Sequence, residues 1–164
     1  SPRSHCDRRR TRQRSLASMS PSDEALPTNL ATIRDDFLAL GVPDRLQLLL
    51  EFSDSLPEVP EDRVDPEAWE RVEECQSPVF ITVDAQPHEV VVYATAPPES
   101  PTTRGFASIL VQGLRGMTPE QVLAVPADFP LQLGLQNAVS MLRLRGMSGM
   151  LWRIKRQVEE ATGQ

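Results

Sequence analysis

In the N-terminal half of the chain, hydrophobic residues recur with helical spacing in two stretches. The first covers residues 30–40 and ends at Gly41, and the second covers residues 43–54. Residues 55–65 carry two prolines and no periodicity, which predicts a surface loop. Residues 66–74 are expected to form one or two helical turns.

The C-terminal half also reads as mainly helical. Ser100 and Pro101 supply an N-cap and a first-turn proline for a helix that runs up to Gly116. Residues 118–121 form a capping box, which predicts a short helix after it. Residues 147–158 place apolar side chains at i, i+3, i+4, i+7 and i+11, the pattern of an amphipathic helix. Three basic residues lie off that apolar stripe: Arg153, Lys155 and Arg156.

Between these helical regions lie two short runs of β-branched and aromatic residues, 79–83 and 90–93. Their spacing is typical of a hairpin with a longer loop. The order of elements predicts an α+β domain, in which a small antiparallel sheet is covered on one face by helices. Two strands make a small sheet, so a third is expected within residues 102–112 or in an irregular segment.

Size and composition add to this interpretation. A chain of 164 residues with 40% apolar residues fits one domain with its own core. No apolar run reaches about 18 residues, so no membrane span is expected. The two cysteines form neither a disulfide framework nor a CxxC pair, which favours a reducing, cytoplasmic setting and predicts no metal site.

Charge divides the chain into two regions. Residues 1–18 hold six Arg and one Asp, and the rest holds 11 basic and 22 acidic residues, a net charge of −11. An acidic folded part argues against nucleic acid as a partner. We expect residues 1–28 to be a disordered basic tail, or an extension upstream of a start at Met19, and residues 29–164 to be the folded domain.

Outside that tail, Cys75 is the only thiol and His88 the only imidazole. If residue 83 pairs near residue 89, the antiparallel register places Cys75 near residues 97–100, at the start of the next helix. His88 then lies more than about 15 Å away at the far end of the hairpin, which excludes a Cys–His hydrolase and a shared metal.

Two opposing effects are expected at the Cys75 thiol. The helix N-terminus lowers its pKa, while the adjacent carboxylates of Glu70, Glu73 and Glu74 raise it. We therefore predict modest intrinsic reactivity until a partner docks. By composition and spacing alone, an isolated cysteine before a strand is more often a small buried hydrophobe than a reactive group.

The segment around Cys75, Val-Glu-Glu-Cys-Gln-Ser-Pro-Val-Phe-Ile, resembles the cysteine segment of the SufE-like family. That family comprises sulfur acceptors for cysteine desulfurases in iron–sulfur cluster assembly. Further motifs follow in family order from about residue 30 to 158: residues 44–46 and 56–57, Arg104-Gly105, residues 116–119 and residues 142–147. The chain departs from the family at Glu74, where many members carry glycine, which predicts a stiffer loop.

The resemblance implies that Cys75 is the persulfide-carrying nucleophile and that Glu74, Gln76 and Ser77 form its supporting loop. It implies that Arg104 and Arg143 contribute to partner docking. The expected partners are a cysteine desulfurase, which this protein stimulates, and an iron–sulfur scaffold complex. No cofactor is expected on this chain, because pyridoxal phosphate belongs to the desulfurase. The protein would then be a sulfur carrier rather than a stand-alone enzyme.

Charge also leaves a different class of function open. Residues 44–74 hold eleven acidic residues and three Arg, whereas five of the eleven basic residues after position 18 lie between residues 143 and 156. Opposite charges on one surface suit steering towards a charged protein. The alternative function is therefore a non-catalytic acidic helical adaptor in which Cys75 is structural.

Overall fold

The computed structural model describes residues 26–62, 67 and 69–163. Five α-helices and three strands follow one another along these residues, with a 3-10 helix at Phe129–Leu133. Their bounds are α1 Thr28–Leu38, α2 Val42–Asp54, β1 Glu70–Arg71, β2 Phe80–Ala85, β3 Val90–Thr95, α3 Pro101–Gly113, α4 Pro119–Leu123 and α5 Met141–Thr162.

The strands form one antiparallel sheet in the order β1-β2-β3. Along β3, Val90, Val92 and Ala94 are buried while the intervening residues are partly exposed. This alternation buries one face of the sheet, on which α3 packs against β3 and α5 packs against β2. The predicted α+β fold is thereby confirmed, with the antiparallel sheet covered by helices.

The hairpin is tighter than its sequence predicts. Gln86 and Glu89 exchange backbone hydrogen bonds of 2.8 and 3.4 Å around Pro87 and His88, so β2 continues to Ala85 before the chain turns. Val83 consequently pairs with Val92 rather than with residue 89. The predicted register was wrong by three residues because the loop length fixes the register of a hairpin.

The third strand lies where helical turns were predicted. Glu70 and Arg71 pair with Ile81 and Phe80 of β2, so the helical prediction was wrong at these two residues, and residues 102–112 belong to α3. Residues 63–66 and 68 of the segment lie outside the described residues. A strand of two residues has no period to detect, and only its pairing with β2 defines it.

The long helix α5 confirms the predicted amphipathic pattern and extends it in both directions. All five predicted apolar positions are buried, but Arg153 is also buried, with 7% of its surface exposed. The prediction places Arg153 off the apolar stripe, and its burial comes from the ion pairs described below. At the other end of the chain, Leu26 is buried and α1 begins at Thr28, so the fold includes residues assigned to the tail. Residues 1–25 lie outside the described residues.

Candidate functional site

Cys75 lies in a short loop closed by two buried valines. The Val72 amide donates to the Val79 carbonyl at 2.9 Å, and both valine side chains are fully buried. Inside this closure, the Cys75 amide donates to the Val72 carbonyl at 3.1 Å. The valines belong to the core, so the loop between them is held at a fixed place beside the sheet.

The thiol of Cys75 faces a cavity of about 390 Å³ between the starts of α3 and α5. The lining includes residues 74–77 of the loop, residues 99–103 at the start of α3, and Ser140, Leu142, Arg143 and Gly146 of α5 and its cap. Only 9% of the Cys75 surface is exposed. The predicted position near residues 97–100 is confirmed, because the actual register also leads Cys75 to the level of Ser100.

A serine pair connects the cysteine loop to α3. The hydroxyls of Ser77 and Ser100 hydrogen-bond each other, and both side chains line the cavity. Ser100 occupies the predicted N-cap position, but its side chain does not cap the helix. The hydroxyl that would cap α3 therefore holds the cysteine loop instead.

Gly146 and Gly149 of α5 give the loop room to approach the helix. A Cβ atom at position 146 would lie 2.9 Å from the Cys75 Sγ, and one at position 149 would overlap the Glu74 carboxylate. At both positions the added Cβ atom would come closer to its neighbour than van der Waals contact allows. These two glycines therefore set how closely Cys75 and Glu74 pack on α5.

Glu74, which stands where the resemblance predicts glycine, forms an ion pair across this contact with Arg153 of α5. Its backbone does not need the conformation that favours glycine, since among the described residues only glycines have positive φ. A second carboxylate lies on the other side of Arg153, where Glu70 Oε2 is 3.1 Å from Arg153 Nε. The Arg153 charge can be buried because these carboxylates pair with it. Arg156 pairs with the same Glu70, so these four residues link β1, the cysteine loop and α5.

These surroundings raise the pKa of the Cys75 thiol from 9.0 to about 11. Burial is the largest cause, the negative charge of Glu74 adds to it, and the positive charge of Arg153 opposes both. Glu74 thus acts in the direction expected from the sequence. At neutral pH the resting thiol is protonated.

The other predicted site residues occupy different surroundings. Gln76 and Arg143 are exposed and line the cavity with Cys75. Arg104 does not line it: its Nε donates to the Ser53 carbonyl at 3.0 Å and its Nη1 to the Ala96 carbonyl at 2.7 Å. These bonds join α3 to the ends of α2 and β3. The role of Arg104 in partner docking remains a prediction.

Sequence reasoning missed Gly146, Gly149 and Arg153 as neighbours of Cys75. The available signal was their spacing at i, i+3 and i+7, which places all three on one face of a helix. His88 lies in the hairpin turn, at the end of β2 away from Cys75. Within the described residues, no group of three or more His, Cys, Asp or Glu side chains could hold a metal ion, and no helix is long and apolar enough to cross a bilayer.

The sequence of this chain is similar to the sequences of known proteins. Residues 31–158 match the family model of the SufE Fe-S metabolism associated domain. An uncharacterized SufE-like protein of Mycobacterium tuberculosis is 51% identical over 138 residues, which cover 84% of this chain and 96% of that protein. The cysteine desulfuration protein SufE of Plasmodium vivax is 30% identical over 83 residues, 49% of this chain and 34% of that protein.

A solved structure gives the same result at the level of the fold. The solution structure of a hypothetical protein from Thermus thermophilus is 37% identical, with a TM-score of 0.75 over 85% of this chain and 99% of that one. The family match alone covers far more than half of the sequence. This chain belongs to the SufE family of Fe–S metabolism associated proteins.

Proposed function

We propose that this protein accepts sulfur from a cysteine desulfurase as a persulfide on Cys75 and relays it to an iron–sulfur scaffold. The observation that carries the proposal is the position of the thiol, which lies at a cavity bordered by two helix starts. Cys75 is also the only cysteine among the described residues, so no neighbouring thiol there can discharge a persulfide as a disulfide.

The transfer step is a thiol exchange. The Cys75 thiolate attacks the outer sulfur of the persulfide on the desulfurase cysteine and forms a new S–S bond. The old S–S bond breaks, and its electron pair leaves with the desulfurase sulfur as a thiolate. The outer sulfur keeps its proton, and the exchange needs no electron carrier. Because the transfer removes the persulfide sulfur from the desulfurase cysteine, it stimulates the desulfurase. The pyridoxal phosphate that forms the first persulfide belongs to the partner.

The high pKa of Cys75 fits a carrier that acts only in a complex. A thiol with a pKa of about 11 is a poor nucleophile alone in neutral solution. A docking partner that engages Glu74, or draws the loop away from α5, removes a cause of that high pKa. Leu142 is 51% exposed and lines the cavity with Arg143, and the adjacent Met141 is 53% exposed. Together they form a surface suited to such a partner in the cytoplasm.

The proposal is tested by incubating the protein with a cysteine desulfurase and L-cysteine and measuring its intact mass. Cys75 should gain one sulfur atom, about 32 Da, and desulfurase turnover should rise. Cys75→Ser should abolish both effects, whereas the matched Cys6→Ser variant should retain them. If Cys75→Ser stimulates the desulfurase as well as the unmodified protein does, Cys75 is structural and the adaptor function is favoured.

A further inference from the structure

The cavity beside Cys75 offers more hydrogen-bond donors than its own side chains use. The bond between Ser77 and Ser100 uses one of their two hydroxyl protons. The Ser140 hydroxyl accepts from the Arg143 amide at 3.3 Å, which leaves the proton of that hydroxyl unused. Thr102 and Thr103 complete the hydroxyl lining. Unused donors of this kind favour an anionic acceptor.

Thr103 is the most deeply buried of these hydroxyl residues. Only 8% of its surface is exposed, and it borders the cavity. Its hydroxyl makes no hydrogen bond to any residue that the structure describes, including the Cys75 Sγ. The hydroxyl is not one of the fully enclosed polar atoms that lack a partner, so it has access to the cavity and is free to donate to an acceptor there.

The backbone at the start of α3 provides donors at the same place. The first amide that bonds within this 13-residue helix is that of Arg104, which donates to the Ser100 carbonyl at 2.9 Å. The amides of Thr102 and Thr103 precede it, and Ser100 gives them no side-chain cap. Free amides at a helix start attract negative charge.

We propose that the Thr103 hydroxyl, together with these amides, binds the outer sulfur of a Cys75 persulfide. The inference rests on the proposed persulfide carrier, and it makes Thr103 a positioning residue. An outer sulfur lies about 2.05 Å beyond Sγ, which carries the negative charge out of the crowded Sγ position and into the cavity. Three charged side chains border the same space: Glu74, Glu99 and Arg143. The Glu74 carboxylate is paired with Arg153.

The test loads the persulfide without a desulfurase, so its failure is distinct from failure of the sulfur transfer. In a Cys6→Ser background, the Cys75 thiolate attacks inorganic hydrodisulfide, forms Cys75–S–S⁻ and releases HS⁻. The pH midpoint for alkylation of this persulfide is measured by mass spectrometry. The variants are Thr103→Val, which removes the hydroxyl at nearly constant shape, and Thr103→Ser, which keeps it.

We expect Thr103→Val to raise the persulfide midpoint by about 1 pH unit, a tenfold change in proton affinity, and Thr103→Ser to restore it. The midpoint of the unloaded thiol should stay unchanged, because the hydroxyl does not bond Sγ. An unchanged persulfide midpoint in Thr103→Val, or equal shifts in the valine and serine variants, overturns the proposal. An equal shift in the unloaded thiol overturns it too. If Thr103→Val does not fold, Thr103→Ala carries the same prediction.

Discussion

At the scale of single residues, the Cys75 thiol is controlled by burial and by two charges of opposite sign. Glu74 raises its pKa and Arg153 lowers it, while the two side chains pair with each other. In this chain a carboxylate stands at position 74, where the resemblance to the family predicts glycine, and the Glu74 side chain in turn requires Gly149 opposite it. The resting state of the thiol therefore depends on contacts between residues far apart in the sequence.

This leads to a prediction about pH. The alkylation rate of Cys75 by iodoacetamide should keep rising about tenfold per pH unit until close to pH 11, because only the thiolate reacts. Glu74→Gln removes a cause of the high pKa and should lower that midpoint by up to about one pH unit. Intact-mass kinetics in a Cys6→Ser background measure both profiles.

The matched control is Glu73→Gln, which removes the same charge from an exposed neighbouring residue and should leave the midpoint in place. A loosened loop would also lower the midpoint, because burial is the largest cause of the high pKa, but it would raise the plateau rate at high pH as well. An unchanged plateau therefore assigns the shift to the charge of Glu74. Equal midpoints in Glu74→Gln and the unmodified protein would contradict the role of Glu74.

At the scale of elements, the cysteine loop depends on α5 more than on its own sequence. Gly146 lies in the interior of a 22-residue helix, where glycine is unfavourable by about 1 kcal/mol relative to alanine. Apart from the helix's own backbone, the only atom of a described residue near a Cβ at that position is the Cys75 Sγ, at 2.9 Å. The helix therefore keeps an unfavourable residue where the thiol needs space.

Gly146→Ala should lower the free energy of unfolding by about 1–3 kcal/mol, because the overlap with Sγ outweighs the gain in helix propensity. In a Cys75→Ala background the overlap is gone, and the same substitution should stabilise by up to about 1 kcal/mol. Urea unfolding of the four proteins measures the double-mutant cycle. If Gly146→Ala has the same sign in both backgrounds, the glycine serves something other than the thiol.

At the scale of the whole molecule, much of the charge that suggests a two-signed surface is paired internally. Arg153 and Arg156 pair with Glu70 and Glu74, and Lys155 donates to the Val125 carbonyl at 2.7 Å. Arg143 and Arg145 are exposed instead. Of the two basic residues that the resemblance connects with docking, Arg143 lines the cavity, whereas Arg104 is half-buried and bonded to carbonyls of neighbouring elements.

The two arginines should therefore respond differently to the same loss of charge. Arg104→Gln removes two charge-assisted bonds to carbonyls of other elements and should lower the free energy of unfolding by about 2–4 kcal/mol. Arg143→Gln should leave stability unchanged and raise several-fold the concentration needed for half-maximal desulfurase stimulation. If Arg104→Gln, when folded, weakens stimulation as much, docking depends on overall charge rather than on the cavity edge.

The chain also shows how far local patterns lead. Periodicity predicts the bounds of α2 and the buried face of α5, and the capping box at Thr118 and Gln121 forms as predicted. Antiparallel pairing brings Cys75 beside the start of α3 although the register was three residues off, because a helix start spans more than one residue. The helices and the capping box depend on neighbours within a few positions, whereas the placement of Cys75 depends only on which two strands pair.

The sequence by itself determined the five α-helices, the hairpin and the family, and it left Cys75 as the one thiol among the residues that the structure describes. Only the tertiary structure decided the strand at Glu70–Arg71, the burial of Arg153, the bond between Ser77 and Ser100, and the space that Gly146 leaves for Sγ. The physical reason is distance along the chain. Each of these contacts joins residues that are well separated in the sequence, and its energy arises only after the core has brought them together.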